Sequence, residues 1–217
     1  MTIQLRNLGL VRYTTLLTTL TIPMLPLFKD VKYLLSETES ERLGPCAAEV
    51  TFVGRSNVGK SALLNALCQK DLARVSGTPG RTRTINVFLA GHDRWLVDLP
   101  GYGYASGRPA QRAGWGAMIE NYLTGRPTLR MIFALVDAKV GPTQLDLQLL
   151  AWLQAKGLPW RVVATKADQV KASRVVVQRR DIAHAMGLQS EDLAWVSADK
   201  GFGVRELRAE AAALLER

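Results

Sequence analysis

Eight residues at positions 54–61, GRSNVGKS, have the types and spacing to hold a polyphosphate. They match the P-loop pattern GxxxxGK[ST]. Gly54 and Gly59 let the backbone turn tightly and present N–H groups to an anion, with Arg55, Ser56, Asn57 and Val58 filling the turn between them. A helix expected at 62–67 would aim the positive end of its dipole at the same anion. Lys60 can then reach the β- and γ-phosphates, and the Ser61 hydroxyl can ligate Mg²⁺. The plain alternative is a glycine turn that happens to precede Lys-Ser. The apolar run at 47–53 argues against it, because strand, loop and helix is the context a P-loop requires.

Two further motifs could complete a nucleotide site. Asp98-Leu99-Pro100-Gly101 has the form DxxG. An Asp there can hold Mg²⁺ through water, and the Gly101 N–H can meet a γ-phosphate and be released when that phosphate leaves. Alone, DxxG is common; behind a P-loop and a hairpin it reads as a γ-phosphate sensor. Thr165-Lys166-Ala167-Asp168 has the form (N/T)KxD and selects the base. Guanine presents N1–H and its 2-amino group, both donors, to one carboxylate. Adenine lacks that pair and would leave Asp168 unpaired. The Lys166 stem can lie along the base plane. Val196-Ser197-Ala198 adds a backbone N–H, that of Ala198, for guanine O6. An ATP-using kinase or ATPase would require TKAD to be coincidence, and no acceptor site or lid stands out for one. His92 and His184 read as surface or structural residues.

These loops meet only if strands deliver them to one side of an open sheet. Strand-like runs fall at 47–53, 85–90, 95–98, 129–136, 160–165 and 193–197, with helices at 62–67, 110–123, 143–156, 171–186 and 204–215. Gly114 and Gly116 weaken the second of these helices. The short gap Gly91-His92-Asp93 fits a hairpin, which makes one strand antiparallel. The expected fold class is α/β: a mostly parallel six-stranded sheet with one antiparallel edge strand and helices on both faces.

A chain of 217 residues suffices for one well-buried domain with an extension. Residues 46–217 read as the domain, and 1–45 as an N-terminal extension, partly disordered or packed on the domain edge. Residues 16–28 are apolar but too short and too broken by Thr and Pro for a membrane span. Thr21-Ile22-Pro23-Met24 is a poor signal-peptide cleavage site, and the basic, acid-free start is shared by organellar transit peptides. A disordered tail, or a true translation start at Met24, is the reading preferred. Cys46 and Cys68 show neither metal-site spacing nor a disulfide framework, which fits a reducing, cytosolic compartment. The formal charge of +9 favours a polyanionic partner such as RNA, DNA or an acidic membrane face.

In order and type, GRSNVGKS, TPGRT at 78–82, DLPGYG at 98–103 and TKAD resemble the EngB family (also called YihA or YsxC) of bacterial ribosome-assembly GTPases, in the translation-factor-like branch of the P-loop GTPases. The likeness runs from about residue 28 to the C-terminus. It implies a Ras-like fold, GTP and GDP as ligands, Mg²⁺, and slow hydrolysis. It further implies a role in maturing the large ribosomal subunit, with a link to cell division and septation, in the bacterial cytoplasm; an organellar matrix is the weaker alternative. Spacing alone leaves the switch threonine open among Thr78, Thr82 and Thr84; the family pattern places it at Thr82, completing the Mg²⁺ shell. Gly80, Arg81, Thr82, Arg83 and Thr84 would form the switch segment, so that Lys60, Thr82 and Gly101 face the reacting phosphate.

Two departures stand out. Ras-like enzymes carry a water-orienting Gln directly after DxxG, and this chain carries Tyr102, so intrinsic hydrolysis is expected to be slow. Related GTPases with Asn in the P-loop use it to hold K⁺, which makes Asn57 a candidate K⁺ ligand. The N-terminal extension is not explained by the family. Arg74, Arg81, Arg83, Arg108 and Arg112 crowd the two switch regions, and Lys171, Arg174, Arg179 and Arg180 follow TKAD. Arginines beside switches would make rRNA affinity depend on the bound nucleotide; solvated surface arginines are the plain alternative. The partner expected is a large-subunit precursor and its rRNA, met by a monomer, without DNA and without membrane insertion. The competing reading is a GTP-regulated binding module in cell division whose hydrolysis is incidental.

Overall fold

The computed structural model describes residues 26–73, 84–103 and 109–217. One seven-stranded sheet runs through them in the order β1-β3-β4-β2-β5-β6-β7. Its strands are β1 (Lys32–Glu37), β2 (Ala48–Gly54), β3 (Ile85–Ala90), β4 (Arg94–Asp98), β5 (Leu129–Asp137), β6 (Trp160–Thr165) and β7 (Ala194–Trp195). The helices are α1 (Pro26–Lys29), α2 (Lys60–Cys68), α3 (Pro109–Gly125), α4 (Gln144–Ala155), α5 (Val175–Ala185) and α6 (Val204–Leu215). From β4 to β7 every neighbour is parallel; β3 is antiparallel to both β1 and β4.

Strand β2 lies at the centre, buried along its whole length, because alternate side chains feed two separate cores. Val50 and Phe52 join Phe133, Leu64 and Leu67 of α2, and Leu207 and Ala211 of α6. Phe52 and Phe133 stack with ring centroids 5.3 Å apart. On the other face Val53 packs with Tyr122 and Leu123 of α3, Leu153 of α4 and Ile182 of α5. Helices on both faces leave the strands' carboxyl ends as the open rim where loops collect.

The expected α/β class holds, with one strand more than expected. Residues 32–37 form the outer strand β1, so the antiparallel strand β3 sits one position inside the edge. The run KYLLSE lacks the alternation of a half-buried strand, and Tyr33 and Leu34 are exposed. Backbone pairing with β3, interrupted by an irregularity between Tyr33 and Leu35, holds it instead of burial. Helix α3 runs through Gly114 and Gly116 because Ile119, Tyr122 and Leu123 anchor it to the core. Strand β7 is shorter than expected because the Ser197 N–H turns away to the Phe202 carbonyl.

Candidate functional site

The P-loop leaves β2 and enters α2 through two residues with positive φ, Asn57 at 64° and Gly59 at 104°. Asn tolerates the left-handed region better than most residues, and Gly59 adopts it freely. Gly59 occupies the N-cap of α2, so the helix begins with its first N–H groups directed into the loop. Lys60 is buried, and its Nζ lies 3.4 Å from the Gly54 carbonyl oxygen, folded back across the loop. Burial lowers the pKa of this ammonium, and the Asp98 charge opposes the effect.

Asp98 ends β4 opposite Phe52 of β2, which brings it beneath the start of α2. The Ser61 hydroxyl donates to its Oδ2 at 3.2 Å. Its Oδ1 is fully buried without a hydrogen-bond partner, and burial raises the carboxyl's pKa against the pull of Lys60 and Ser61. A buried acceptor without a donor is costly. A hydrated Mg²⁺ beside Ser61 would supply both the missing donors and the compensating charge, so this pair fits the ion.

Leu99 and Pro100 are buried behind Asp98, and Gly101 comes up against the P-loop. A Cβ at Gly101 would lie 2.9 Å from both Ser56 N and Ser56 Cα, so only glycine allows this approach. The Ser56 N–H donates to the Tyr102 carbonyl at 3.0 Å, and the Tyr102 N–H to the Gly54 carbonyl at 3.3 Å. The Tyr102 phenol turns away and donates to Asp146 Oδ1 at 2.7 Å.

TKAD closes the other end of the cleft. The Thr165 hydroxyl lies 2.5 Å from the Val58 carbonyl and 3.0 Å from the Val136 carbonyl, joining the end of β6 to the P-loop and to β5. Lys166 has φ 55°, and its Nζ meets Asp137 Oδ2 at 2.7 Å. The Ala167 N–H donates to the Val196 carbonyl at 3.0 Å. The Ser197 hydroxyl donates to Asp168 Oδ1 at 2.5 Å and accepts the Lys200 N–H at 3.0 Å. Gly59, Ala62, Leu63, Thr165, Lys166, Asp168, Val196 and Ala198 line one cleft of ≈ 220 Å³, joined by Gln169 and Asp199. Asp168 and Ala198 thus line one space, adjoining the start of α2.

Thr84, at the entry to β3, donates from its hydroxyl to Asn86 Oδ1 at 3.1 Å. Gly80, Arg81, Thr82 and Arg83 lie outside the described residues, as do Arg74 and Arg108 and the side chain of Arg112. Of the second basic group, Arg179 is committed to the Ser190 and Leu193 carbonyls, and Arg180 pairs with Asp181. Two residues of the site escaped the sequence reading. Asp137 carried no local motif. Asp146 had a local signal, the Thr143-x-x-Asp146 capping box at the start of α4, but nothing nearby in sequence tied it to Tyr102.

Comparison with known proteins agrees with this geometry. A family model described as a 50S ribosome-binding GTPase matches residues 49–166. A probable GTP-binding protein EngB of Desulforapulum autotrophicum is 43% identical over 179 residues, 82% of this chain and 92% of its own. Among solved structures, a probable GTP-binding protein engB superposes with a TM-score of 0.62 at 23% identity, covering 78% of this chain and 100% of that one. NFeoB from S. thermophilus, solved with GDP·AlF4⁻ and K⁺, gives 0.57 at 22% identity, covering 76% and 61%. The two structural likenesses speak to fold alone, whereas the sequence matches reach across most of the domain. The chain belongs to the EngB family of GTP-binding proteins, within the P-loop GTPases.

Proposed function

We propose that this chain is a GTP-driven switch that docks on a large ribosomal subunit precursor and leaves it after hydrolysis, acting in the bacterial cytoplasm as a monomer. The observation that carries the reading is the shared cleft, in which the P-loop end of α2 adjoins Asp168 and Ala198. In that role the loop N–H groups from Arg55 to Ser61 and the Lys60 ammonium take the β- and γ-phosphates. Asp168 accepts from guanine N1–H and the 2-amino group, and the Ala198 N–H donates to O6. The bond from Ser197 holds the carboxylate in place and leaves it acceptor capacity, since a carboxylate offers about four lone-pair sites. Ser61 and Thr82 would hold Mg²⁺ directly and Asp98 through water. The ion, when bound, neutralises charge developing on the phosphates.

Slow unaided hydrolysis follows from Tyr102, whose hydroxyl is engaged by Asp146 and cannot orient a water. Asn57 stands exposed at the outer turn of the loop, which supports it as the K⁺ ligand of a K⁺-stimulated reaction. Among the described residues no helix is long and apolar enough to cross a membrane, and the net charge of +9 favours rRNA as the docking surface. The link to division and septation is part of the same proposal, as a consequence of ribosome supply.

The test measures GTP hydrolysis alone and with large-subunit precursor particles, in K⁺ and in Na⁺ buffers. Stimulation by particles is expected, with a K⁺ preference abolished by Asn57→Ala. Equal rates with and without particles favour the binding module with incidental hydrolysis. ATP competing as well as GTP removes the guanine reading altogether.

A further inference from the structure

The contacts around Tyr102 go beyond keeping a phenol away from the phosphates. Asp146, in the first turn of α4, is 1% exposed and makes contacts in three directions. Its Oδ1 accepts the Tyr102 hydroxyl at 2.7 Å. Its Oδ2 accepts the Thr143 N–H at 2.6 Å and the Thr143 hydroxyl at 2.7 Å, closing the capping box of α4. Arg55 Nε of the P-loop lies 3.4 Å from the same Oδ2, a charge contact rather than a hydrogen bond. A rigid helix start therefore holds one residue of the P-loop and one residue of the DxxG segment on a single buried carboxylate.

The backbone completes the arrangement. Arg55 and Tyr102 form an isolated parallel bridge beyond the ends of β2 and β4, with the Ser56 N–H on the Tyr102 carbonyl and the Tyr102 N–H on the Gly54 carbonyl. The Ser56 hydroxyl adds a contact to the Gly101 carbonyl at 3.4 Å. Gly54 O is also the atom that Lys60 Nζ approaches, so Tyr102 is tied to the carbonyl that faces the phosphate-binding ammonium. Clasped in this way, Gly101 sits at the phosphate end of the P-loop, packed against Ser56.

We propose that Asp146 is a positioning residue for the nucleotide response: through Tyr102 and Arg55 it holds Gly101 where a γ-phosphate would meet it, and so favours GTP over GDP. It touches no nucleotide itself. The proposal rests on the guanine-nucleotide reading given above. It gives Tyr102 a positive role at the place where a Ras-like enzyme keeps its water-orienting group. A clasp made partly of side chains on buried groups can be made or broken as a unit, as a switch element requires.

The test compares affinities for GDP and for a non-hydrolysable GTP analogue in Mg²⁺ buffer, for the full chain and three variants. Tyr102→Phe removes only the phenol hydroxyl, Asp146→Asn keeps the shape and removes the charge, and Glu49→Gln removes a buried charge at the opposite end of the sheet, where Glu49 bonds Tyr122, Arg126 and Thr128. Losing a buried, charge-accepted hydrogen bond is expected to weaken the analogue by about tenfold while GDP changes by less than about twofold. Tyr102→Phe and Asp146→Asn should do this, and Glu49→Gln should lower the melting temperature with the ratio of the two affinities unchanged. A ratio unmoved in Tyr102→Phe, a ratio moved towards the analogue, or an equal shift in Glu49→Gln each overturns the proposal. Should Asp146→Asn fail to fold, the affinity ratio of Tyr102→Phe decides alone. A wild-type chain that binds neither guanine nucleotide defeats the underlying reading instead, and is seen before any variant is compared.

Discussion

Lys166 Nζ lies 2.7 Å from Asp137 Oδ2, which ties the ammonium of TKAD to the end of the neighbouring strand β5. The bond is supported from both sides. Asp137 Oδ1 also accepts the N–H groups of Lys139 at 2.9 Å and Val140 at 3.1 Å. Lys166 is one of three described non-glycine residues with positive φ, a backbone state that costs about 1–3 kcal/mol and persists where surroundings impose it. With the ammonium fixed, the lysine stem is held at the wall of the cleft, beside Gly59. Asp137→Ala should therefore weaken GDP and GTP equally, by roughly tenfold, because the charge-assisted bond is lost at the base end of the site. Titration with fluorescent nucleotides checks this. A loss confined to GTP would mean that Asp137 acts on the phosphates.

The same carboxyl yields a pH prediction. Burial on its own would raise the pKa of Asp137. The hydrogen bond from Lys166 and those from the Val140 and Lys139 N–H groups outweigh burial and hold it below the usual value of 3.8. A depressed folded-state pKa means that the unfolded chain binds the proton more readily, so stability rises with pH across that window. The contribution is complete above pH 3.8 and is lost as pH falls through the lower folded value. The stability difference between wild type and Asp137→Asn, followed by urea unfolding, should be constant near neutrality and shrink below about pH 4. A difference that grew towards acid pH would contradict the assigned sign.

Asp168→Asn tests base selection directly. The carboxamide offers one acceptor and one donor group where guanine needs two acceptors, so GTP affinity should fall by about a hundredfold. Xanthosine triphosphate, whose C2 carbonyl accepts rather than donates, should gain. The Ser197 hydroxyl can still donate to the amide oxygen, so the loop geometry is expected to survive. Competition between the two triphosphates on both proteins measures the exchange, and a variant that still preferred GTP would move base reading elsewhere.

What the sequence disclosed and what it withheld follow from the range of the interactions. GRSNVGKS, DLPG and TKAD are contiguous, and each carries its own local chemistry, so residue types alone assign the stretch. The hairpin at Gly91 is equally local, and the antiparallel pairing of β3 with β4 matches the expectation. By contrast, Tyr102 meets Asp146 across 44 positions, and Lys166 meets Asp137 across 29. No spacing rule reaches that far. Strand β1 was illegible for another reason. Its residues are mostly exposed, and hydrophobic periodicity cannot reveal a strand held chiefly by backbone pairing and by surface contacts such as Tyr33 on Phe88 and Ser36 on Asn86.

The opposite end of the sheet offers a control that separates stability from binding. Glu49, near the amino end of β2, has no exposure and accepts three bonds of 2.7 Å, from Tyr122 Oη, Arg126 Nε and Thr128 Oγ1. Arg126 in turn stacks 5.0 Å over the Trp95 ring. The set joins the end of α3 to β2 and to Thr128, the residue before β5, all away from the phosphate rim. Removing the carboxylate charge leaves a largely buried guanidinium without its counter-ion, which typically costs about 3 kcal/mol. In a chain of this length that corresponds to a fall in melting temperature of roughly 10 °C. Glu49→Gln should therefore unfold at distinctly lower temperature or urea concentration, while the folded protein keeps its affinity for GDP. Nucleotide affinity falling in step with stability would mean that α3 transmits strain from this network to the DxxG segment that precedes it.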